Sequence, residues 1–301
     1  MGEIYERFID RIELSLQDVI DIFNIFNNKI IVSKYEKINK GGRNSNYIVF
    51  TTEKKYLLRV CSAKNIGYRN EINSYNLLKT KIKMPNLLFN FSKKDLVYLV
   101  YEYIQGEPIT KINRNIIKQV AFTAALLHNI KEDSCREFDK LNYPPFSTWY
   151  NLFLYNRNVQ RRLGNEIAYN LEQIISKSND KIKEIDKIKC FTHSDYRSEN
   201  MILSDGIVYF VDWEFGNIGH SLGDIGQFFR YDYEFSIDEI YLFYEIYNTY
   251  AINKLPDNWF ELAKLRDLIN LLQMLSFNKD MPNRYNEITK LILNTINFFN
   301  K

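Results

Sequence analysis

Apolar side chains recur at helical spacing in residues 14–28, and the segments that follow change to short apolar runs. Two turns separate these runs, a glycine turn at Gly41-Gly42 and a polar turn at 52–55, which is typical of antiparallel strands. A helix is expected over 70–81, and the run LVYLVYEYI at 96–104 is expected to be a buried strand. The first third of the chain therefore predicts a small antiparallel meander accompanied by helices.

Beyond the polar turn at 105–108 the pattern becomes mostly helical. Segments 115–130 and 148–178 both place apolar residues at i, i+3 and i+4. One stretch, 190–215, departs from this pattern, because short apolar runs flank polar loops there. We therefore expect an α+β protein with two lobes: a small antiparallel β-sheet lobe over residues 1–104 and a larger helical lobe over 105–301.

Composition narrows the class of protein only slightly. The 301 residues are 46% hydrophobic and 26% charged, which is ordinary for a folded globular protein. A net charge of +3 is too small to indicate a nucleic-acid partner, and no stretch approaches the roughly 20 apolar residues of a membrane span. The three cysteines lack the spacing of a metal site or a disulfide framework. We expect a cytoplasmic protein that binds neither nucleic acid nor membrane.

The candidate chemistry lies in the exceptional stretch, around a predicted hairpin. Asp205-Gly206 is a strong turn signal between two apolar runs. Pairing outward from this turn sets Asn200 opposite Phe210 or Val211. Asp212 then lies one or two residues, roughly 3–7 Å, from the level of Asn200. Two oxygen-bearing side chains are thus expected at one end of the hairpin.

An amide oxygen and a carboxylate in this arrangement suit Mg²⁺, which keeps several waters and takes one or two protein carboxylates plus phosphate oxygens. Asn200 and Asp212 are the predicted magnesium ligands. Asp195 precedes Asn200 by five residues, so it can face such a site without ligating the metal. In phosphoryl transfer an aspartate so placed orients the attacking hydroxyl and accepts its proton. The spacing therefore indicates phosphoryl transfer with Asp195 as the base.

Three motifs follow one another in this region: H-x-D-x4-N, D-W-E and G-x4-D-I-G. Their order resembles the aminoglycoside phosphotransferase and choline kinase superfamily, and the eukaryotic protein-kinase loop has the same Asp-to-Asn spacing. The resemblance implies a protein-kinase-like fold, with Asp195 as catalytic base and Asn200 and Asp212 as magnesium ligands. It further implies that His193 orients the catalytic loop and that Asp224 is a buried carboxylate bracing it.

The N-terminal lobe carries features of a nucleotide site for ATP or GTP. Glycines in the stretch 41–46 would let backbone N–H groups approach a phosphate. Arg59 occupies the place of the strand lysine of protein kinases, and Glu71 on the next helix would pair with it. The segment VYEYIQGEP resembles the hinge whose backbone binds the nucleobase. The predicted nucleotide-binding residues are Gly42, Asn44, Arg59, Glu71, Glu102 and Tyr103.

Rival interpretations explain the motifs less well. Asp and Asn favour turns anyway, but turn formation alone does not account for their joint spacing with D-W-E and Asp224. A metal hydrolase built on His193, Asp195 and Asp212 would want a second clustered His or Glu. No G-x4-G-K-[ST] motif is present, which excludes a P-loop enzyme. A further alternative is a pseudokinase that binds a nucleotide without catalysis. The expected catalytic residues are all present, which argues for an active enzyme.

The acceptor is a small-molecule hydroxyl, and its recognition is expected from acids and aromatic residues. A polycationic aminoglycoside would want several carboxylates, whereas the quaternary ammonium of choline would want an aromatic box. The sequence permits an aminoglycoside-type antibiotic kinase or a metabolic kinase for choline, ethanolamine, a sugar or a related alcohol. The candidate acceptor-binding residues are Glu214, Tyr231, Asp232 and Trp259.

We expect Asp195→Asn and Asp212→Ala each to abolish phosphoryl transfer while leaving the fold intact. The first change removes the proton acceptor, and the second removes a carboxylate ligand of the metal. Circular dichroism and a nucleotide-turnover assay on the purified variants measure the two effects separately. Turnover near the wild-type rate in either variant would contradict the assignment.

Overall fold

The structure is a computed structural model that describes residues 7, 9–39, 41–138, 144–187 and 189–300. The described helices are α1 Leu16–Asn27, α2 Gly67–Leu78, α3 Arg114–His128, α4 Phe146–Leu154, α5 Arg157–Lys177, α6 Asn179–Ile185, α7 Ser221–Phe228, α8 Ile237–Tyr250, α9 Trp259–Leu275 and α10 Pro282–Phe299. The described strands are β1 Val32–Ile38, β2 Ser45–Thr51, β3 Lys55–Ser62, β4 Leu87–Lys93, β5 Leu96–Glu102, β6 Glu107–Pro108, β7 Cys190–Thr192, β8 Met201–Ser204, β9 Ile207–Phe210 and β10 Asn217–Gly219. The α+β expectation is confirmed.

The chain forms two units. Unit 1 comprises Met1–Pro108 and Met201–Glu214, and unit 2 comprises Ile109–Asn200 and Phe215–Lys301. The expected lobes were continuous in sequence, whereas the hairpin of β8 and β9 belongs to unit 1. Its strand β8 pairs antiparallel with β6, with Glu107 opposite Leu203, and this pairing holds the distant hairpin in the first unit.

Unit 1 is built on an antiparallel sheet with strand order β1-β2-β3-β5-β4. Helix α1, expected over 14–28, packs on this sheet through Val19 and Phe23, which join Tyr47 in one buried cluster. Ser15 and Asp18 form a capping box that begins the helix. The helix expected over 70–81 is α2, and the expected buried strand is β5, so the predicted meander is confirmed.

The hairpin that precedes Asp212 has the predicted turn. Asp205 and Gly206 have φ angles of 49° and 78°, as two-residue hairpin turns require when both central residues adopt positive φ. Met201 pairs with Phe210 in the last rung of the β8–β9 ladder. Of the two predicted registers, this pairing agrees with the one that sets Ser204 opposite Ile207, and the ladder ends two residues before Asp212.

Unit 2 is mostly helical around an aromatic core. Phe229 and Phe243 lie 5.0 Å apart edge to face, and Trp259 stacks on Phe243 at 6.0 Å. The short strands β7 and β10 pair beside these helices. The helical pattern at 148–178 is divided between α4 and α5, and Gly164 interrupts α5 with a φ of 75°. In the described ranges no helix has the length and apolar character that crossing a bilayer requires.

Close packing of α7 on α9 yields a stability prediction. A Cβ on Gly226 would lie 2.3 Å from the carbonyl oxygen of Ala263. Because this oxygen belongs to the backbone, it cannot move aside as a flexible side chain can. Gly226→Ala should therefore destabilise the protein by about 1–3 kcal/mol, measured by urea unfolding.

The matched control is Gly223→Ala in the same helix. A Cβ there would meet only the flexible side chain of Arg266, at 3.4 Å. Alanine favours the helix by up to about 1 kcal/mol relative to glycine, so this variant should be neutral or more stable. Equal unfolding midpoints for the two variants would show that α7 does not approach α9 this closely.

Candidate active site

Arg59 forms the centre of a buried ion-pair network in unit 1. Its Nη1 binds the Glu71 carboxylate and donates to Asp212 Oδ1 at 2.8 Å, and its Nε donates to Asn46 Oδ1 at 3.1 Å. Glu71 also accepts a bond of 2.9 Å from the hydroxyl of Tyr101. Burial opposes the charge on Arg59, but the Asp212 and Glu71 carboxylates hold the pKa of the guanidinium well above its ordinary value. The expected Arg59–Glu71 pair is therefore present.

Asp212 has an unusual backbone conformation for a residue with a side chain. Its φ is 67°, in the left-handed region, where only glycine is free of strain and Asp is among the better tolerated residues. The next residue, Trp213, is fully buried and donates from Nε1 to the carbonyl of Phe210 at 3.2 Å. The Asp212 side chain remains 32% exposed, whereas the side chain of Arg59 is 6% exposed. One carboxylate of the network is thus open to a ligand.

Bonds from the N-terminal segment hold the glycine loop in place. Arg7 donates to the carbonyls of Gly41 and Asn44 at 2.6 and 2.9 Å, and the N–H of Ile9 donates to the carbonyl of Gly42 at 3.1 Å. Gly41 has a φ of 107°, which requires glycine. Because three carbonyls of the loop are engaged in this way, its N–H groups are the backbone groups suited to bind an anion.

Glu214 lies buried against this loop. Its Oε2 accepts a bond of 3.0 Å from Asn44 Nδ2, and its backbone carbonyl accepts one of 3.2 Å from Asn70. Burial, together with the charge of Asp212, raises the pKa of Glu214 to about 7. Asn44, expected to bind the nucleotide, therefore uses its side chain on Glu214. Its contribution to a ligand site would come from the backbone.

The predicted hinge follows β5. The N–H of Glu102 donates to the carbonyl of Asn86 at 3.0 Å, and the Glu102 carboxylate accepts from the backbone and side chain of Asn86. The Nζ of Lys55 lies 5.4 Å from the centre of the Tyr103 ring. The Glu102 N–H is therefore already bonded within unit 1. A small cavity beside Arg59 is lined by Leu57, Met84 and Trp213.

Asp195 is held by two neighbours in its own loop, within unit 2. Arg197 donates to both carboxylate oxygens, Nε to Oδ1 at 2.8 Å and Nη2 to Oδ2 at 3.3 Å. Asn200 Nδ2 donates to the backbone carbonyl of Asp195 at 2.8 Å and to Oδ2 at 2.7 Å. Burial opposes ionisation, but the Arg197 guanidinium and these hydrogen bonds hold the pKa of Asp195 below its ordinary value. The carboxylate is thus ionised and fixed in orientation.

Asn200, in unit 2, and Asp212, in unit 1, are the predicted magnesium ligands. Asn200 uses its amide nitrogen for both bonds to Asp195, so its Oδ1 remains for a ligand. Asp212 keeps its exposed carboxylate. Within the described ranges, no group of three or more His, Cys, Asp or Glu side chains forms a metal cluster.

Helix α7 braces the Asp195 loop with two side chains three residues apart. Asp224 accepts the backbone N–H groups of His193 and Ser194, both at 2.8 Å. Gln227 accepts the N–H of Tyr196 and donates to the carbonyl of Ser194, both at 2.9 Å. Ser194 has a φ of 63°, so these bonds stabilise an uncommon conformation. The placement of Asp224 agrees with the expected bracing role.

Two histidines complete the surroundings of this loop. His193 is buried, and its Nδ1 accepts the backbone N–H of Asp195 at 3.3 Å. His128, on α3, lies 3.3 Å from Asp224 Oδ2 and 2.9 Å from the hydroxyl of Tyr247. His128 is thus a core histidine that helps to hold Asp224, which matches its position on the apolar stripe of its helix.

The three acceptor candidates in unit 2 differ in their surroundings. Tyr231 hydrogen-bonds through its hydroxyl to the carboxylate of Glu287 on α10. Asp232 is paired with Lys264 at 2.9 Å. Trp259 is 5% exposed and packs in the aromatic core. Tyr231 is thus engaged through its hydroxyl by a carboxylate, Asp232 by a cation and Trp259 by packing.

The residues of these networks that were not predicted include Asn46, Arg197, Gln227 and Glu287. Two of them had a local signal. Arg197 lies two residues from Asp195 in a loop, where opposite charges meet readily, and Gln227 lies at i+3 from Asp224 on a helix. Asn46 and Glu287 depend on strand pairing and helix packing, which motif spacing does not encode.

The sheet with its strand Arg and helix Glu, and the braced H-x-D-x4-N loop, define a phosphotransferase with a protein-kinase-like fold. Residues 34–262 match the family model described as "Phosphotransferase enzyme family" (APH), so the chain belongs to this family. It is accordingly an enzyme that phosphorylates hydroxyl groups of small molecules.

Individual relatives agree with this assignment. A curated protein of Mycoplasma capricolum subsp. capricolum, "Protein LicA homolog", is 30% identical over 185 residues, covering 61% of this chain and 67% of that protein. The crystal structure of spectinomycin phosphotransferase APH(9)-Ia, with ADP and spectinomycin, is 14% identical with a TM-score of 0.65, covering 94% and 99% of the two chains. Aminoglycoside phosphotransferase APH(4)-Ia is 13% identical with a TM-score of 0.67 and the same coverages. These two structures show the fold.

We expect Arg197→Gln to lower kcat about 10- to 100-fold, with little change in KM for either substrate, because Asp195 loses its fixed orientation. Steady-state kinetics with an accepted substrate measure both constants. The matched control is Arg161→Gln, an exposed arginine of the same unit on α5, which should behave as the wild type. A kcat unchanged in Arg197→Gln would show that the ion pair does not contribute to catalysis through Asp195.

Proposed function

We propose that the protein is a magnesium-dependent kinase that transfers the γ-phosphoryl group of ATP to a hydroxyl of a small cationic alcohol. The observation that carries this proposal is the fixed Asp195 carboxylate. Arg197 and Asn200 hold it, and its loop is braced by Asp224 on α7. A turn-forming or purely structural aspartate would not need such a set of oriented donors.

Asp195 would accept the hydrogen bond of the acceptor hydroxyl and thereby orient it. As the hydroxyl oxygen forms its bond to the γ-phosphorus, the bond between that phosphorus and the β–γ bridging oxygen of ATP breaks. The hydroxyl proton passes to Asp195, and ADP leaves. Bound Mg²⁺ supplies compensation for the phosphate charge, and Asn200 and Asp212 would hold it.

The nucleotide side of the proposal rests on unit 1. Arg59 has two of its nitrogens engaged, which leaves Nη2 for a phosphate oxygen, and the Glu71 pair keeps the guanidinium in place. The N–H groups of the glycine loop, at Gly42 and Asn44, would contact the phosphates. The backbone of Tyr103, next to Glu102, would bind the base. ATP is the proposed donor and GTP its alternative, because backbone groups accept either purine.

The surroundings of Tyr231 favour a small amino alcohol, such as choline or ethanolamine, as the acceptor. Tyr231 and Tyr233 meet edge to face at 6.1 Å, and Tyr231 binds Glu287, so aromatic faces and a carboxylate lie together. An ammonium group is attracted to both. Burial is the largest cause that raises the pKa of Tyr231. The hydrogen bond and charge of Glu287 follow, and the charge of Glu199 in the Asp195 loop adds to them.

An aminoglycoside-type antibiotic kinase is the competing candidate, and the substrates bound by the solved relatives favour it. A polycationic antibiotic needs several available carboxylates. In this chain Asp232 is paired with Lys264, and Asp267 is paired with Arg230 at 2.6 and 2.8 Å. These internal pairs argue for the smaller cation. We place the enzyme in the cytoplasm, since its three cysteines lack the spacing of a disulfide framework.

A coupled assay over choline, ethanolamine, sugars and aminoglycosides, with ATP and with GTP, tests this proposal. We expect ATP-dependent turnover with an amino alcohol, loss of turnover in EDTA, and none in Asp195→Asn. Phosphorylation of aminoglycosides alone would overturn the acceptor assignment. ATP binding without turnover on any hydroxyl would overturn the proposed kinase activity.

Tyr231→Leu tests the acceptor subsite. Removing the ring and its bond to Glu287 should raise the KM for the amino alcohol about 10-fold or more, with the KM for ATP unchanged. Tyr169→Leu, at an exposed position on α5 in the same unit, is the matched control. An unchanged acceptor KM in Tyr231→Leu would remove this cluster from the binding site.

A further inference from the structure

Asn46 lies at the junction of the glycine loop and the ion-pair network of unit 1. It is the second residue of β2, immediately after the loop, and it pairs with Arg59 on β3. Through this register its Oδ1 accepts the bond from Arg59 Nε at 3.1 Å. Asn is disfavoured in strands, so sheet formation does not explain why this position carries Asn.

The bond to Nε matters because this strand carries arginine. Arg59 is 5% exposed, and a buried donor without an acceptor is costly. Nη1 is taken by Glu71 and Asp212, so the acceptor on Nε sets the plane of the guanidinium and the direction of Nη2. A lysine has no Nε and would not need this partner.

The other end of the amide faces the loop. A Cβ built on Gly41 would lie 4.0 Å from Asn46 Nδ2, so the amide nitrogen lies close to the backbone that turns at this glycine. Gly41 stands at a φ of 107°, and its carbonyl is bonded to Arg7. The two donors on Nδ2 therefore lie beside the loop whose N–H groups are suited to an anion.

We propose that Asn46 is a phosphate-positioning residue: its Oδ1 orients Arg59 and its Nδ2 donates to a phosphate oxygen of the bound nucleotide. This inference rests on the proposed nucleotide site and assigns it one further residue. The two roles use opposite ends of one planar amide. Fixing Oδ1 on Arg59 Nε therefore fixes the direction of the N–H groups as well.

Calorimetric titration of ATP, ADP and adenosine into the full-length protein tests the phosphate contact. Asn46→Ala should weaken ATP and ADP binding about 10- to 100-fold and leave adenosine binding unchanged, because only the phosphates lose a partner. Asn46→Asp keeps an acceptor for Arg59 but places a carboxylate beside the phosphates. It should retain the thermal unfolding temperature and lose ATP affinity.

Asn90→Ala is the matched control, since Asn90 is an exposed asparagine on β4 of the same sheet. It should bind all three ligands as the wild type does. Equal losses for ATP and adenosine in Asn46→Ala would mean a general disturbance of the sheet and would overturn the inference. Wild-type ATP affinity in Asn46→Asp would overturn it as well.

A double-mutant cycle with Arg59→Lys tests the orienting role. Asn46→Ala should weaken ATP binding less in the Arg59→Lys background than in the wild type, because lysine offers no Nε to orient. Equal effects in both backgrounds would exclude coupling through Arg59. If the wild-type protein binds no ATP, the proposed function fails. If the wild-type protein binds ATP and the Asn46 variants bind it equally well, this inference fails and the proposed function stands.

Discussion

A positive charge buried at Arg59 constrains most of unit 1. A guanidinium withdrawn from water must be neutralised and hydrogen-bonded, and removing one partner leaves an uncompensated charge that costs several kcal/mol, about 3–5 in comparable buried pairs. The partners come from a helix, a neighbouring strand and the segment after a hairpin: Glu71, Asn46 and Asp212. Because each must reach the same group, strand register, helix position and hairpin register are fixed together. A strained backbone at Asp212 is tolerated within this arrangement.

In unit 2 the main constraint is that the irregular loop carrying Asp195 must keep one conformation. The backbone N–H groups of residues 193, 194 and 196 have no strand or helix to bond to, and Asp224 and Gln227 accept them. Both acceptors lie on one face of α7, and close packing at Gly226 holds that helix on α9. The position of the Asp195 carboxylate is therefore set by bonds to the backbone as well as by Arg197.

The successful predictions depended on sequence signals between residues that are close together in the chain. The turn residues Asp205-Gly206 and the alternation of side chains along the strands were enough to predict the pairing of the β8–β9 hairpin, which ends near Asp212. Both signals depend on a few adjacent residues. Tertiary packing decided the rest. Trp259 was expected to contact substrate, yet it is buried in an aromatic core that no local pattern distinguishes from a pocket. The membership of residues 201–214 in unit 1 likewise depends on pairing with β6, about a hundred residues away in sequence.

The bonds from Arg7 to the glycine loop extend the structural support of unit 1 beyond the residues that the family model matches. The family match begins at residue 34, but the carbonyls of Gly41 and Asn44 are held by a side chain that lies well before it. Arg7 and Ile9 thus hold a turn more than thirty positions later in the sequence. A protein shortened to the matched range would keep every motif residue and lose this support. The boundary of the family match and the boundary of the structure that holds the glycine loop therefore do not coincide in this enzyme.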